Sequence, residues 1–218
     1  MGGHIGISET LERYVFAHTR ETDVAKRLRL ETMKLPQAGM ITMPDQVAFL
    51  AWLVRLIQAK RIIEIGTFTG YGSLAMASAM PDGARLIACD TSREWTDIAQ
   101  RYWKEAGIAD RIDLRLAPAS ATLSKLLGDG LAGTFDLIFV DADKTGYDAY
   151  YEAGLKLLRT GGLIAFDNML WSGAVADESA KDTDTLALRA LNAKICDDRR
   201  VDACLLTVAD GMILACKV

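Results

Sequence analysis

The chain has 218 residues, half of them hydrophobic, with 25 Lys+Arg against 29 Asp+Glu, a net charge of -4 and only two histidines. That size supports one domain with its own core, and the acidic balance excludes a protein that coats DNA or RNA with a basic stripe. Both histidines, His4 and His18, fall near the N-terminus, so a His/Cys zinc site or a Ser-His-Asp triad is poorly supplied and any metal is expected on oxygen ligands.

In chain order, residues 8–34 read as two helices, the first opening at Ser8 and the break falling at 19–22. Pro44 at a first helical position starts a helix whose Val47, Leu50, Leu53, Val54 and Ile57 form one apolar face directed at a sheet. From Lys60 onward short apolar runs alternate with helical stretches, the pattern of a parallel sheet with crossover helices. The runs are 61–65, 84–89, 112–116, 135–140 and 163–166, and the helices 71–79, 92–106, 119–127, 146–158 and 182–196. Gly107 and the Gly161-Gly162 pair are placed as helix stops. Segments 203–208 and 212–217 read as a hairpin around Asp210-Gly211. The expectation is an α/β domain over 1–218, with a helical extension at 1–43 and a core at 44–218. No run is long and apolar enough to span a bilayer, and no signal peptide is recognised. Cys89, Cys196, Cys204 and Cys216 form no CxxC pair and read as small buried hydrophobes in a reducing cytoplasm.

The most informative stretch is Glu64-Ile-Gly66-Thr67-Phe-Thr-Gly70-Tyr71-Gly72, directly after the first strand and opening a helix. Gly66 allows close backbone approach to a ligand, and the helix start offers unpaired N–H groups. The spacing G-x-x-x-G-x-G lacks the dinucleotide fingerprint, which disfavours a nicotinamide dehydrogenase. Glu64 before the turn would repel a pyrophosphate and welcome a cation, which favours the sulfonium and amino groups of S-adenosylmethionine. Asp90 ends the second strand, where an acid can accept from ribose hydroxyls, provided Thr91 or Ser92 caps the next helix.

Two further strands end in acids, Val140-Asp141-Ala-Asp143-Lys144 and Phe166-Asp167-Asn168. Neighbouring strand ends converge on one crevice, so Asp141, Asp167 and Asn168 can meet there and suit a hard cation, Mg²⁺, Mn²⁺ or Ca²⁺. An EF-hand reading of 141–152 fails because a buried strand, not a helix, precedes it. Trp171 reads equally as core packing or as a substrate wall.

These motifs, together with Met40-x-Thr42, Ala117-Pro-Ala119, Tyr147, Tyr150, Leu170-Trp171 and Val208-x-Asp210-Gly211, resemble the cation-dependent, S-adenosylmethionine-dependent O-methyltransferases of the catechol and caffeoyl-CoA type. The resemblance covers about Met40 to Val218. It implies a Rossmann-like class I methyltransferase fold with a mostly parallel seven-stranded sheet, a C-terminal antiparallel hairpin and helices on both faces. It also implies a homodimer. It places Thr42, Glu64, Gly66, Thr67, Asp90, Ala119, Asp143 and Tyr150 at the cofactor, Asp141, Asp167 and Asn168 at the metal, and Lys144 with Asp141 in catalysis. Where the family has a serine after the Gly-Tyr pair this chain has Gly72 followed by Ser73, both assigned to the cofactor side. Ser172 stands where plant members have an asparagine, so Trp171 and Ser172 are assigned to the substrate without support for a CoA ester.

The implied reaction moves a methyl group from sulfur to a phenolic oxygen of a small vicinal diol. A hydroxylated tRNA base is the alternative acceptor, served by a folded patch of Lys26, Arg27, Arg29 and Lys34. A non-catalytic nucleoside- or calcium-binding module is a third reading, against which Lys144 beside the acids speaks.

Overall fold

The computed structural model describes residues 6–218, so His4 lies outside the described residues. Ser8 caps α1 (Glu9–His18) by accepting from Leu11 N, and Thr22 caps α2 (Asp23–Thr32) by accepting from Ala25 N. Helix α3 (Pro44–Leu56) starts on its proline and buries Val47, Leu50, Leu53 and Val54.

The remaining elements alternate: β1 (Arg61–Ile65), α4 (Tyr71–Ala79), β2 (Arg85–Asp90), α5 (Arg93–Glu105), β3 (Ile112–Leu116), α6 (Ala119–Gly128), β4 (Phe135–Val140), α7 (Tyr147–Leu157) and β5 (Leu158–Phe166). Helix α8 (Thr183–Asp197) then leads to the hairpin of β6 (Val201–Leu206) and β7 (Met212–Lys217). They form one seven-stranded sheet in the order β3-β2-β1-β4-β5-β7-β6, parallel through β5 and antiparallel beyond it. This is the Rossmann-like arrangement implied above.

Both sheet faces are covered because the strands alternate. Ile62, Leu86 and Leu137 join one core with residues of α2, α3, α4 and α5. Ile63, Ile65, Ile138 and Val140 join the other with α6, α7 and α8. Each such side chain removed from water contributes roughly 1.5–3 kcal/mol of transfer free energy. Helix α1 is the exception and has no buried residue.

Two expectations are corrected. Gly161 and Gly162 do not stop α7, which ends at Leu157; they lie inside β5, where the register with β4 shifts between Phe135 and Leu137. The reason is a close approach, since a Cβ on Gly162 would lie 2.9 Å from the Arg159 carbonyl oxygen and 3.0 Å from that of Phe135. Of the four cysteines, all free, only Cys89 is buried; Cys196 and Cys204 are exposed on the outer sides of α8 and β6. Among the described residues no helix is long and apolar enough to cross a membrane.

Candidate active site

Strand order reverses between β1 and β4, which opens a crevice at the carboxyl ends of the strands. Strand-like hydrogen bonds continue one residue past those ends. Gly66 N donates to Cys89 O (3.0 Å), Asp141 N to Ile65 O (2.8 Å) and Asp167 N to Val140 O (3.0 Å), which holds the acids in step along the crevice floor.

At the β1–β2 end the turn is built for close approach. Gly66 has φ +87°, and any Cβ there would run into the Asp141 carbonyl. Gly70, at φ +84°, is the N-cap of α4 and offers no side chain, so the first N–H groups of that helix are left for a ligand. Glu64 is 1 % exposed and its Oε2 has no hydrogen-bond partner. Burial pushes this carboxyl up to about 8, against the pull of the Ser73 and Thr67 hydroxyls. Gly72 leaves room for it, because a Cβ there would sit 2.6 Å from Glu64 Oε1. Asp90 is held instead by backbone: its Oδ2 accepts from Thr67 N (3.0 Å) and Phe68 N (2.7 Å), and its Oδ1 from Ser92 N (2.7 Å). Ser92 caps α5, as the sequence reading required.

At the β4–β5 end the acids meet a lysine. Lys144 is 8 % exposed and its Nζ donates to Tyr147 Oη (2.6 Å), Asn168 Oδ1 (2.7 Å) and Asp141 Oδ1 (3.3 Å). Asp167 is buried, and burial first, then the Asp141 charge, holds its carboxyl well above the usual range. Burial, followed by the Asp141 and Asp167 charges, likewise raises the Tyr147 phenol. Tyr150 donates to Asp143 Oδ1 (2.6 Å), which fixes that carboxylate in the turn ahead of α7. Asn168, Trp171 and Ser172 all have positive φ. Their loop is clamped by the β6–β7 turn, where Met169 N donates to Gly211 O (2.9 Å), Leu170 N to Asp210 O (3.0 Å) and Ser172 N to Asp210 Oδ1 (2.6 Å).

A single cavity of about 1160 Å³ joins the two ends. Thr42, Glu64, Gly66, Thr67, Gly72, Asp90, Ala119, Asp141, Asp143, Lys144, Tyr150, Asp167, Asn168, Trp171 and Ser172 all line it. Ser73 does not; it is fully buried and donates to Gly70 O (3.2 Å). A family model described as O-methyltransferase matches residues 16–218. The chain belongs to the O-methyltransferase family.

Relatives of this O-methyltransferase include a probable caffeoyl-CoA O-methyltransferase 2 of Dictyostelium discoideum, 44 % identical over 97 % of this chain and 93 % of that protein. A caffeoyl-CoA O-methyltransferase of Eucalyptus gunnii is 38 % identical over 97 % of this chain and 88 % of its own length. Among solved structures, the O-methyltransferase TomG of Streptomyces achromogenes in complex with SAM superposes with a TM-score of 0.86 at 30 % identity, covering 96 % of each chain.

The O-methyltransferase cavity also has walls the sequence reading missed. Gln46, in the first turn of α3, lines it at 1 % exposure, with no hydrogen-bond partner for its Nε2. Trp95 lines it from the first turn of α5, edge-on to Phe68 with ring centroids 4.9 Å apart. Ile7, Glu12, Val15 and Phe16 bring the α1 region onto the same space. Among the described residues, five of the six non-glycine residues with positive φ, namely Phe68, Asn168, Trp171, Ser172 and Ala209, are lining residues, which places the strained backbone at the site. No group of three or more His, Cys, Asp or Glu forms a metal cluster among the described residues. The oxygen set Asp141, Asp167 and Asn168 consists of two carboxylates and an amide, bridged in part by Lys144 Nζ.

Proposed function

We propose that this O-methyltransferase moves a methyl group from S-adenosylmethionine to one hydroxyl of a small vicinal-diol phenol, with a divalent cation at Asp141, Asp167 and Asn168. The observation that carries the reading is that one cavity is lined both by a buried carboxyl with one unpartnered oxygen at a glycine turn and by an oxygen cluster with its own lysine. The residues fit both groups. Glu64 Oε2 lacks a donor that the cofactor's amino group would supply, and Gly66 and Gly72 keep the turn free of side chains. At the other end, Asp167 is short of compensating positive charge, and a set of oxygen donors suits a hard cation.

Thr67 and Phe68 amides fix Asp90 so that its remaining lone pairs face the cavity wall, where ribose hydroxyls would donate. Asp143, steadied by Tyr150, gives a second acceptor on that side. When bound, the cation supplies Lewis acidity that lowers the pKa of a coordinated hydroxyl. Lys144 Nζ, held by Tyr147 Oη and Asn168 Oδ1, lies beside the same oxygens and steadies the phenolate as it attacks the methyl, the phenolic proton passing to solvent and the sulfur leaving as S-adenosylhomocysteine. Trp171 and the α1 residues wall the acceptor, so much of the acceleration comes from positioning.

The test compares methylation of a catechol in untreated and chelated protein, with Asp141→Ala alongside. Loss of turnover in both is expected, and full activity after chelation overturns the cation role. A hydroxylated tRNA base fits less well, because Arg27 is paired with Glu105 and Arg29 with Glu21, which removes half of the basic patch.

A further inference from the structure

Unsatisfied polar atoms gather at the crevice. Among the described residues, five buried side-chain atoms have no hydrogen-bond partner, and three of them, Asp45 Oδ1, Gln46 Nε2 and Glu64 Oε2, belong to residues that line the cavity. The Glu64 oxygen is explained by the cofactor turn. Asp45 has a structural explanation too, since an acid in the first turn of α3 offsets the helix dipole where Met43 supplies no side-chain cap. Gln46 is uncharged, so the dipole gives no reason for it. At 1 % exposure, a Met or Leu of similar size would fill the same space without leaving a buried donor unpaired.

The neighbour of Gln46 supplies the reason. Its carboxamide lies beside the Asp167 carboxyl and opposes the burial that raises that group, although Nε2 completes no hydrogen bond there. Among the described residues, the hydrogen bond that reaches this carboxylate runs from Asn168 N to Oδ1 (2.6 Å), which leaves acceptor capacity on the other oxygen. Backbone anchors both partners: Val47 N donates to Met43 O (3.0 Å) beside Gln46, and Asp167 N to Val140 O (3.0 Å). Closing the contact therefore takes side-chain torsion only. Carboxylates that hold a cation are oriented by donors behind them, and losing such a donor weakens the site while every ligand stays in place.

Resting on the cation reading above, we propose that Gln46 is a positioning residue, whose Nε2 donates to Asp167 and fixes the orientation of that carboxylate as a cation ligand. Gln46 acts through Asp167 and touches neither the phenol nor the sulfonium. A neutral donor suits the place better than Lys or Arg, because a second fixed positive charge there would compete with the cation for the same oxygens. Lys144 already brings one charge to the Asp141 side.

The experiment measures Mg²⁺ and Mn²⁺ binding to the full chain by calorimetry, with S-adenosylhomocysteine affinity and thermal melting in cation-free buffer alongside. Gln46→Met keeps the volume and removes both N–H groups, and Gln46→Leu is a second apolar replacement. For both we expect the cation Kd to rise about tenfold or more, with melting temperature and S-adenosylhomocysteine affinity no lower than in the wild type. Catechol turnover should return toward the wild-type kcat at saturating cation, so that the loss shows in the cation concentration required. A cation Kd within about twofold of the wild type overturns the proposal. So does a fall in melting temperature and S-adenosylhomocysteine affinity together with cation binding, which would mean that Gln46 only packs the crevice. Binding by the wild type that the variants leave unchanged rejects the Gln46 assignment alone, whereas no cation binding by the wild type rejects the cation reading with it.

Discussion

The two ends of the crevice handle buried acids in different ways. Beside β1 and β2, Asp90 is held by three backbone amides and Glu64 by burial that keeps it protonated. Beside β4 and β5, Asp141 and Asn168 share a movable side-chain cation, Lys144 Nζ. Backbone partners are fixed by the turn and cannot leave, so the first end is a rigid cradle. A lysine on rotatable bonds can shift, so the second end can exchange one positive group for another and set a charge beside a reacting oxygen. On the proposed reading, holding falls to the glycine turn and chemistry to the lysine cluster.

The sharpest way to break this division is at the lysine. Lys144→Ala should lower kcat by roughly 10²–10³ while cofactor affinity, read by calorimetry, stays within a fewfold; a drop below tenfold would falsify the assignment. Gly66→Ala tests the cradle. Its Cβ meets the Asp141 carbonyl at a positive φ, and a cost of about 3 kcal/mol or more in unfolding free energy is expected from denaturant titration. An unchanged midpoint would mean the turn is not rigid.

Glu64 sharpens the comparison through pH. Its folded pKa is raised from 4.5 to about 8, so across that window the folded state keeps a proton the unfolded state has released. Stability from this group is therefore present below the unfolded pKa and lost as pH rises toward the folded one. Melting temperatures of cofactor-free protein should fall over that range, and Glu64→Gln should flatten the slope; a slope that persists in the variant points to another group. The smallest effect is expected at Glu21, which accepts from Tyr71 Oη (2.6 Å) and pairs with Arg29, tying the α1–α2 connection to the cofactor turn. Glu21→Ala should cost about 1–2 kcal/mol and raise acceptor KM more than it lowers kcat, and equal effects on both would argue against α1 as a wall of the acceptor space.

Much of this was legible because parallel strands announce themselves. Runs such as Arg61–Ile65 and Phe135–Val140 are buried on both faces, so they stand out as apolar blocks, and the acids that follow them must lie at the crevice. Glycine spacing and Asp90 marked the β1–β2 end of the same cavity in the same way. Ser73 does not line the cavity, because helical phase, not adjacency, decides which side of α4 a residue faces. The Gly161-Gly162 pair resembles a helix stop, and only the approach of the Phe135 and Arg159 carbonyls reveals a bulge. Gln46 and Glu12 sit in ordinary amphipathic helices; their place on the cavity wall depends on which tertiary surface those helices cover, and a periodic pattern carries no such information.

The clamp on the Asn168–Ser172 loop also has a consequence for synthesis. Strand β7 is made after every other strand, yet it enters between β5 and β6 and not at the sheet margin. Until it emerges, β5 offers an open hydrogen-bonding edge of the sort that recruits foreign strands. Its preceding turn supplies the Asp210 and Gly211 contacts that shape the loop. A nascent chain stalled short of Met212 therefore carries its acids on four strands with the β5 edge open and the Asn168–Ser172 loop unclamped.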